Sequence, residues 1–197
     1  MHYGNRSRIE PGVTLQVMMP PTQTRLLTVE EFAKIADPAS GHYELHHGEL
    51  VLMPPPIYKH YKLQRKFMRA LDRICIGWVV GLEFPFRPLP EHEVWRADVG
   101  MVTEERSRAI SETGWLEGSP DLVIEVLSPS NTVEEINDRE RICFQGGCLE
   151  FWLVDPKWQT IRVSTPDGQG RTYGIADEVP LDRFVAAKLS VAEVFAD

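Results

Sequence analysis

Between His60 and Trp78, apolar residues fall at Leu63, Phe67, Leu71, Ile74, Cys75 and Trp78, a helical spacing that turns one stripe toward a core and predicts the longest helix of the chain. The segments around it follow a period of two. In YELHHGELVLMPPP, two apolar-polar stretches flank His47 and Gly48, and the glycine accepts the positive φ of a tight turn, so a hairpin closed by Pro54, Pro55 and Pro56 is expected. FPFRPL, VWRADVGMV and DLVIEVL are short runs rich in valine, phenylalanine and leucine, separated by acidic or Gly-Ser-Pro loops, and predict three consecutive strands. Thr28 with Glu31 forms a capping box for a short helix, with Leu27 and Phe32 placed as a hydrophobic staple. Thr132 with Glu135 opens a second long helix whose buried side is Ile136, Ile142 and Cys143 and whose stop is Gly146-Gly147. EFWLVD then reads as a strand, TIRVST and RTYG around Pro166-Asp167-Gly168 as a hairpin, and Ser190 to Phe195 as a terminal helical turn. The order helix, three strands, helix, strand, with a hairpin at each end, predicts a mixed α/β (α+β) fold. Residues 1–25 lack periodicity and read as a flexible arm, leaving residues 26–197 as a single domain.

Composition narrows this picture. A chain of 197 residues, 43% hydrophobic and 25% charged, can bury one sizeable core. No apolar run approaches the roughly 18 residues needed to span a bilayer, and the opening segment lacks the apolar stretch of a secretory signal, so the cytoplasm is the default location. Cys75, Cys143 and Cys148 cannot all pair within one chain and are expected as reduced thiols. The formal charge of −8 opposes indiscriminate binding to a polyanion, but the segment Lys59–Arg73 holds six basic residues and one acid, which leaves −13 on the remainder. Lys59, Lys62, Lys66, Arg69 and Arg73 recur at spacings of three and four and form a cationic stripe beside the apolar one. A phosphate backbone can lie along such a stripe; a solvated face paired with the acidic remainder is the alternative.

Two of the expected strands carry a carboxylate where burial of an unpaired charge is costly: Asp98 between Ala97 and Val99, and Glu125 within LVIEVL. Neighbouring strands would let a divalent metal satisfy both; a strand-end carboxylate, wet or paired with Arg96 or Arg139, is the competing explanation. His60 near the start of the long helix can shuttle a proton or touch a phosphate, or lie on the helix surface without a role. His46 and His47 sit in or beside a turn and read as solvent-facing. No paired C-x-x-C signature joins them to Cys143 and Cys148 as a zinc site, and no nucleophile elbow supports a serine hydrolase.

YELHHGELVLMPPP with His60, RADV, PDLVIEVLSPSN and GGCLEFWLVDP resemble, in order and spacing, the Uma-type family of putative restriction endonucleases, from about Leu27 to about Phe195. The resemblance implies a restriction-endonuclease-like core of the PD-(D/E)xK superfamily, with a mixed central sheet flanked by helices. It implies that Asp98 and Glu125 hold Mg²⁺ (or Mn²⁺) together with the Val126 backbone carbonyl, with Glu44 as a further ligand or as the group orienting a metal-bound water. A surface strand carboxylate is the other reading of Glu44. The superfamily's lysine two residues after the glutamate is replaced by Leu127, and the position to which the family moves it is Arg139, which can stabilise phosphate charge but cannot serve as a general base. Ala97 replaces the usual proline before the aspartate. The expected function is therefore metal-dependent hydrolysis of DNA phosphodiester bonds, and the alternative is a catalytically degenerate module that binds nucleic acid or a protein partner. Fold-level analogy adds the expectation of a homodimer.

Overall fold

A computed structural model describes residues 25–111 and 114–196. The expected N-terminal arm, Arg25 apart, lies outside these residues. In chain order the elements are α1 (Val29–Phe32), β1 (His42–His46), β2 (Glu49–Met53), α2 (Tyr58–Ile74), β3 (Trp78–Arg87), β4 (Trp95–Thr103), α3 (Glu104–Arg108), β5 (Leu116–Glu117), β6 (Leu122–Val126), α4 (Val133–Gln145), β7 (Glu150–Asp155), β8 (Thr160–Ser164), β9 (Gly170–Tyr173), β10 (Glu178–Pro180), β11 (Lys188–Ser190) and α5 (Val191–Phe195). A mixed seven-stranded sheet runs β5-β3-β4-β6-β7-β8-β9, while β1-β2 and β10-β11 form two small antiparallel ladders outside it. The β6–β7 pair is parallel, with α4 as its crossover.

Both expected capping boxes are present, Thr28 with Glu31 on α1 and Thr132 with Glu135 on α4. The β1–β2 turn places His47 at φ 52° and Gly48 at φ 79°, two successive positive values of the kind a two-residue hairpin loop requires. Leu63, Phe67 and Leu71 are buried along α2 as the helical spacing predicts. Burying a side chain such as Phe67 stabilises the fold by about 1.5–3 kcal/mol.

The sequence pattern extended α2 too far. Cys75 already leaves the helical region, Gly77 takes φ +88°, and Trp78, assigned above to the helix, opens β3 instead. Trp78 merely continues the apolar spacing of Ile74 and Cys75, and left-handed Gly77 separates it from them. The short elements α3, β5, β10 and β11 have too little periodicity to be read from sequence.

Two cores sit on opposite faces of the main sheet. One joins α2 to Val99, Met101, Leu122, Ile124 and Val126; the other joins α4 to Ala97, Val123 and Phe151. On β3, Val80 and Leu82 pack with the first core, whereas Phe84 and Phe86, of the same parity, belong to the second. On β4 the switch falls between Val99 and Ala97. Glu83 and Asp98 stand between the register pairs Leu82–Val99 and Phe84–Ala97, where the pleat changes sides, and Glu83 has a left-handed φ of 45°. Gly100 makes room for the displaced Phe84: a Cβ there would meet the Phe84 side chain at 2.7 Å.

Candidate active site

Asp98 and Glu125 lie in adjacent antiparallel strands, one residue beyond the Val99–Ile124 pair. Each acid has its own set of partners. The Asp98 Oδ2 atom accepts from the Val126 backbone N–H at 2.6 Å and lies 2.9 Å from His60 Nε2, while Oδ1 accepts from Gln64 Nε2 at 2.8 Å. The same Gln64 nitrogen donates to Glu83 Oε1 at 2.7 Å, so one amide links the two carboxylates at the pleat switch. Gln64 is fully buried, and its Oε1 has no hydrogen-bond partner among the described residues. His60 and Gln64 reach Asp98 together because they are four residues apart on one face of α2. Burial alone would lower the His60 pKa, but the Asp98 hydrogen bond and charge, with Glu83 behind them, raise it above its ordinary value.

On the other side of the sheet, Arg139 from α4 supplies Nε to Glu125 Oε1 at 2.8 Å and Nη1 to Glu44 Oε2 at 3.3 Å. Its Nη2 donates to the Arg96 carbonyl, and the guanidinium lies 5.0 Å from the centroid of the Trp95 ring. Glu44, from β1, is only 2% exposed and also accepts from the Arg96 N–H at 2.8 Å, with His46 Nε2 2.7 Å away and His42 Nε2 3.4 Å away. Burial would push the Glu44 carboxyl up, yet Arg139 and the two histidines hold it well below the usual range. The opposite holds for Glu125: burial, reinforced by the Asp98 and Glu44 charges, outweighs Arg139 and raises it to about 8. Arg139 itself is held more firmly protonated than usual, because the two glutamates outweigh its burial.

A cleft of about 1220 Å³ opens beside Asp98. His60 and Val126, both bound to that aspartate, form part of its wall, along with Lys59, Lys62 and Lys66. The loop after β6, the first turn of α4, the turn between β7 and β8 and Phe195 also line it. Among the described residues, no group of three or more His, Cys, Asp or Glu side chains is arranged to hold a metal ion.

The profile of the Uma2 family, described as "Putative restriction endonuclease", matches residues 29–192. The chain belongs to the Uma2 family. A crystal structure of a putative nuclease from Anabaena variabilis aligns with a TM-score of 0.73 over 86% of this chain and 98% of that one, at 23% identity, a likeness of fold. No curated protein matches.

The Uma2 motif residues thus divide between two contact sets: Glu44, Glu125 and Arg139 in one, Asp98 and His60 in the other. Two surface readings fail. Glu44 is buried rather than on a strand surface, and His46 is half-buried against Glu44 and Trp95 rather than solvent-facing. His47 is exposed but lies 2.8 Å from Glu93 and 2.6 Å from Asp138. Of the cationic stripe, Lys59, Lys62 and Lys66 line the cleft, whereas Arg69 and Arg73 do not, and Arg73 pairs with Glu193 at 2.5 Å. Sequence reasoning missed Gln64 and Glu83. The available signal for Gln64 was an amide beside Leu63 in an otherwise apolar stripe, four residues after His60; Glu83 was hidden by the misplaced start of β3. No described helix is long and apolar enough to cross a membrane, and the three cysteines are free and buried.

Proposed function

We propose that this Uma2 chain is a divalent-metal-dependent endonuclease acting on DNA, with its reacting phosphate beside Asp98 in the lysine-lined cleft. The observation that carries this reading is the His60–Asp98 pair, whose histidine lines a cleft also lined by three lysines. Mg²⁺ is commonly held by one or two carboxylates, with waters and substrate phosphates completing the shell, so a full side-chain cage is not required. Asp98 and Glu125 fit that donor set: they are register neighbours, and the Asp98 charge helps to raise the Glu125 pKa. The Val126 carbonyl, from a residue that lines the cleft, would be the third protein donor. When bound, the cation supplies Lewis-acid polarisation of the phosphate and a water of lowered pKa.

The chain's own groups have separable tasks. Lys59, Lys62 and Lys66 neutralise phosphate charge and hold the strand against α2. His60, whose protonated form Asp98 favours, gives its proton to the leaving oxygen. Gln64 fixes Asp98 from behind. Arg139 orients Glu125 and Glu44 and, always protonated, takes no part as a base. One cleft addresses one strand, so cutting both strands of a duplex calls for two copies, which sedimentation with a duplex would detect.

A specific observation also favours a module that binds without cutting: Arg139 already satisfies Glu125 and Glu44. Incubating supercoiled plasmid and circular single-stranded DNA with Mg²⁺ or Mn²⁺ separates the two readings. The nuclease reading expects cleavage by the native protein that disappears in both Asp98→Asn and Glu125→Gln. DNA binding without cleavage by any of the three leaves the non-catalytic module.

A further inference from the structure

We infer that the cleft takes an unpaired polynucleotide strand, whose bases stack on aromatic side chains at its two lips; the inference rests on the nucleic-acid reading of the same site. Phosphate-binding capacity comes from charge segregation. On a chain of net charge −8, the cleft is lined, among the described residues, by Lys59, Lys62, Lys66, Lys157 and Arg162 against one carboxylate, Asp155. That carboxylate is committed to the turn it sits in, accepting from the backbone N–H groups of Lys157 at 2.8 Å and Trp158 at 3.1 Å. Arg162 is shared with Glu140 at 2.6 Å, and Lys66 donates to the Ala196 carbonyl.

Exposed aromatic residues interrupt the lining on both sides of the cleft. Trp158, between the lining residues Lys157 and Gln159, is 69% exposed, and the Lys157 ammonium lies 5.1 Å from the centroid of its ring. At the start of α2, Tyr58, between the lining residues Ile57 and Lys59, is 79% exposed. Trp158 is held in this position by backbone, through the Asp155 turn and the left-handed Gln159 at φ 51°, rather than by packing of its ring into a core. In a duplex the faces of the bases are already stacked on one another. Exposed aromatic faces beside a row of phosphate-binding lysines therefore suit bases that are unpaired.

Fluorescence anisotropy in EDTA, where no metal-dependent cleavage proceeds, tests this with labelled oligothymidine, oligouridine and a blunt duplex of equal length. The expected result is that oligothymidine binds about ten-fold tighter than the duplex, and that Trp158→Ala weakens it by about ten-fold without changing duplex binding. Tyr58→Ala has an effect of the same sign, and Lys59→Gln lowers the slope of log affinity against log salt by about 0.7. Both aromatics are exposed, so the variants fold, which circular dichroism checks. Equal binding of oligouridine extends the site to RNA, and weaker binding restricts it to DNA; either supports an unpaired strand. Duplex binding as tight as oligothymidine binding, or a Trp158→Ala variant that binds normally, overturns the inference yet leaves the nuclease reading to the plasmid assay. Oligothymidine binding without cleavage sinks only the nuclease reading, and no binding of any probe sinks the inference.

Discussion

The two carboxylate clusters of this molecule differ in what holds them. Around Arg139, a permanent cation is enclosed with Glu44 and Glu125 and sealed by Trp95, and every arm of the guanidinium is engaged. Around Asp98, the donors are a histidine, an amide and one backbone N–H, and the histidine opens on a cleft. The first arrangement is enclosed and keeps its guanidinium charge at every ordinary pH, while burial raises Glu125 within it to about 8. The second can exchange protons and meet a ligand. Residues named by the same sequence motifs therefore divide into an enclosed half and a half that borders the cleft.

Removing the cation should have the largest effect. Arg139→Ala leaves two carboxyls in a space built for a guanidinium, and chemical denaturation should show a loss of about 3–5 kcal/mol. If the loss is under about 1 kcal/mol, the Arg139 cluster is not the enclosed centre described. On the Asp98 side, Gln64→Leu deprives two carboxylates of a shared donor and should cost about 1–3 kcal/mol by the same measurement. It should also lower the His60 pKa, read by NMR titration of the ring, if Gln64 positions Asp98; an unchanged His60 would make the amide a packing element only.

The clusters should also separate by pH. Glu125 holds its proton more tightly folded than unfolded, so between its ordinary value of 4.5 and about 8 the native state carries the extra proton and stability falls as pH rises, by at most about 1.4 kcal/mol per pH unit. Glu44 has the opposite sign: its contribution is complete above the ordinary carboxylate range and is lost as pH falls through its depressed value. His60, raised when folded, contributes stability that is present below about 6.5 and lost as pH climbs through its folded value. Urea unfolding of Glu125→Gln should show a flatter profile between pH 5 and 8 than the native chain; identical slopes would place the titration elsewhere. The smallest expected effect lies outside both clusters, where Thr132→Ala removes the α4 cap for about 1 kcal/mol and should leave the His60 titration unmoved.

What could be read from sequence follows the range of the interactions involved. The turn at His47-Gly48, the two capping boxes and the α2 stripe depend on neighbours within four residues, and each is present as expected. Asp98 and Glu125 stood out as carboxylates in apolar strands, with Arg139 among the partners weighed for them, and the resemblance to the Uma2 motifs added the role of Glu44; the other partners could not follow from either. The contacts between Glu44 and Arg139 span 95 positions and those between Gln64 and Asp98 span 34, and no local pattern encodes either. The far lip of the cleft, from Lys157 to Arg162, was invisible for the same reason, since only the β7–β8 pairing brings it opposite α2. Glu83 was lost to a local ambiguity: the apolar run after Gly77 suits a helix or a strand until the glycine's conformation is known.

Glu44 belongs to a two-stranded ladder outside the main sheet. Leu45 exchanges backbone hydrogen bonds with Val94, the Gly48 N–H donates to the His92 carbonyl, and the Trp95 indole donates to the Leu45 carbonyl. These bonds, with those from the Arg96 N–H to Glu44 and from the His47 N–H to Glu93, are what must break for β1–β2 to part from β4 by local opening rather than by global unfolding. Each such excursion withdraws one of Arg139's two carboxylate partners and frees the guanidinium to reorient. Amide exchange at Leu45 and Gly48 would then report, residue by residue, how often this centre comes apart while the rest of the molecule stays folded.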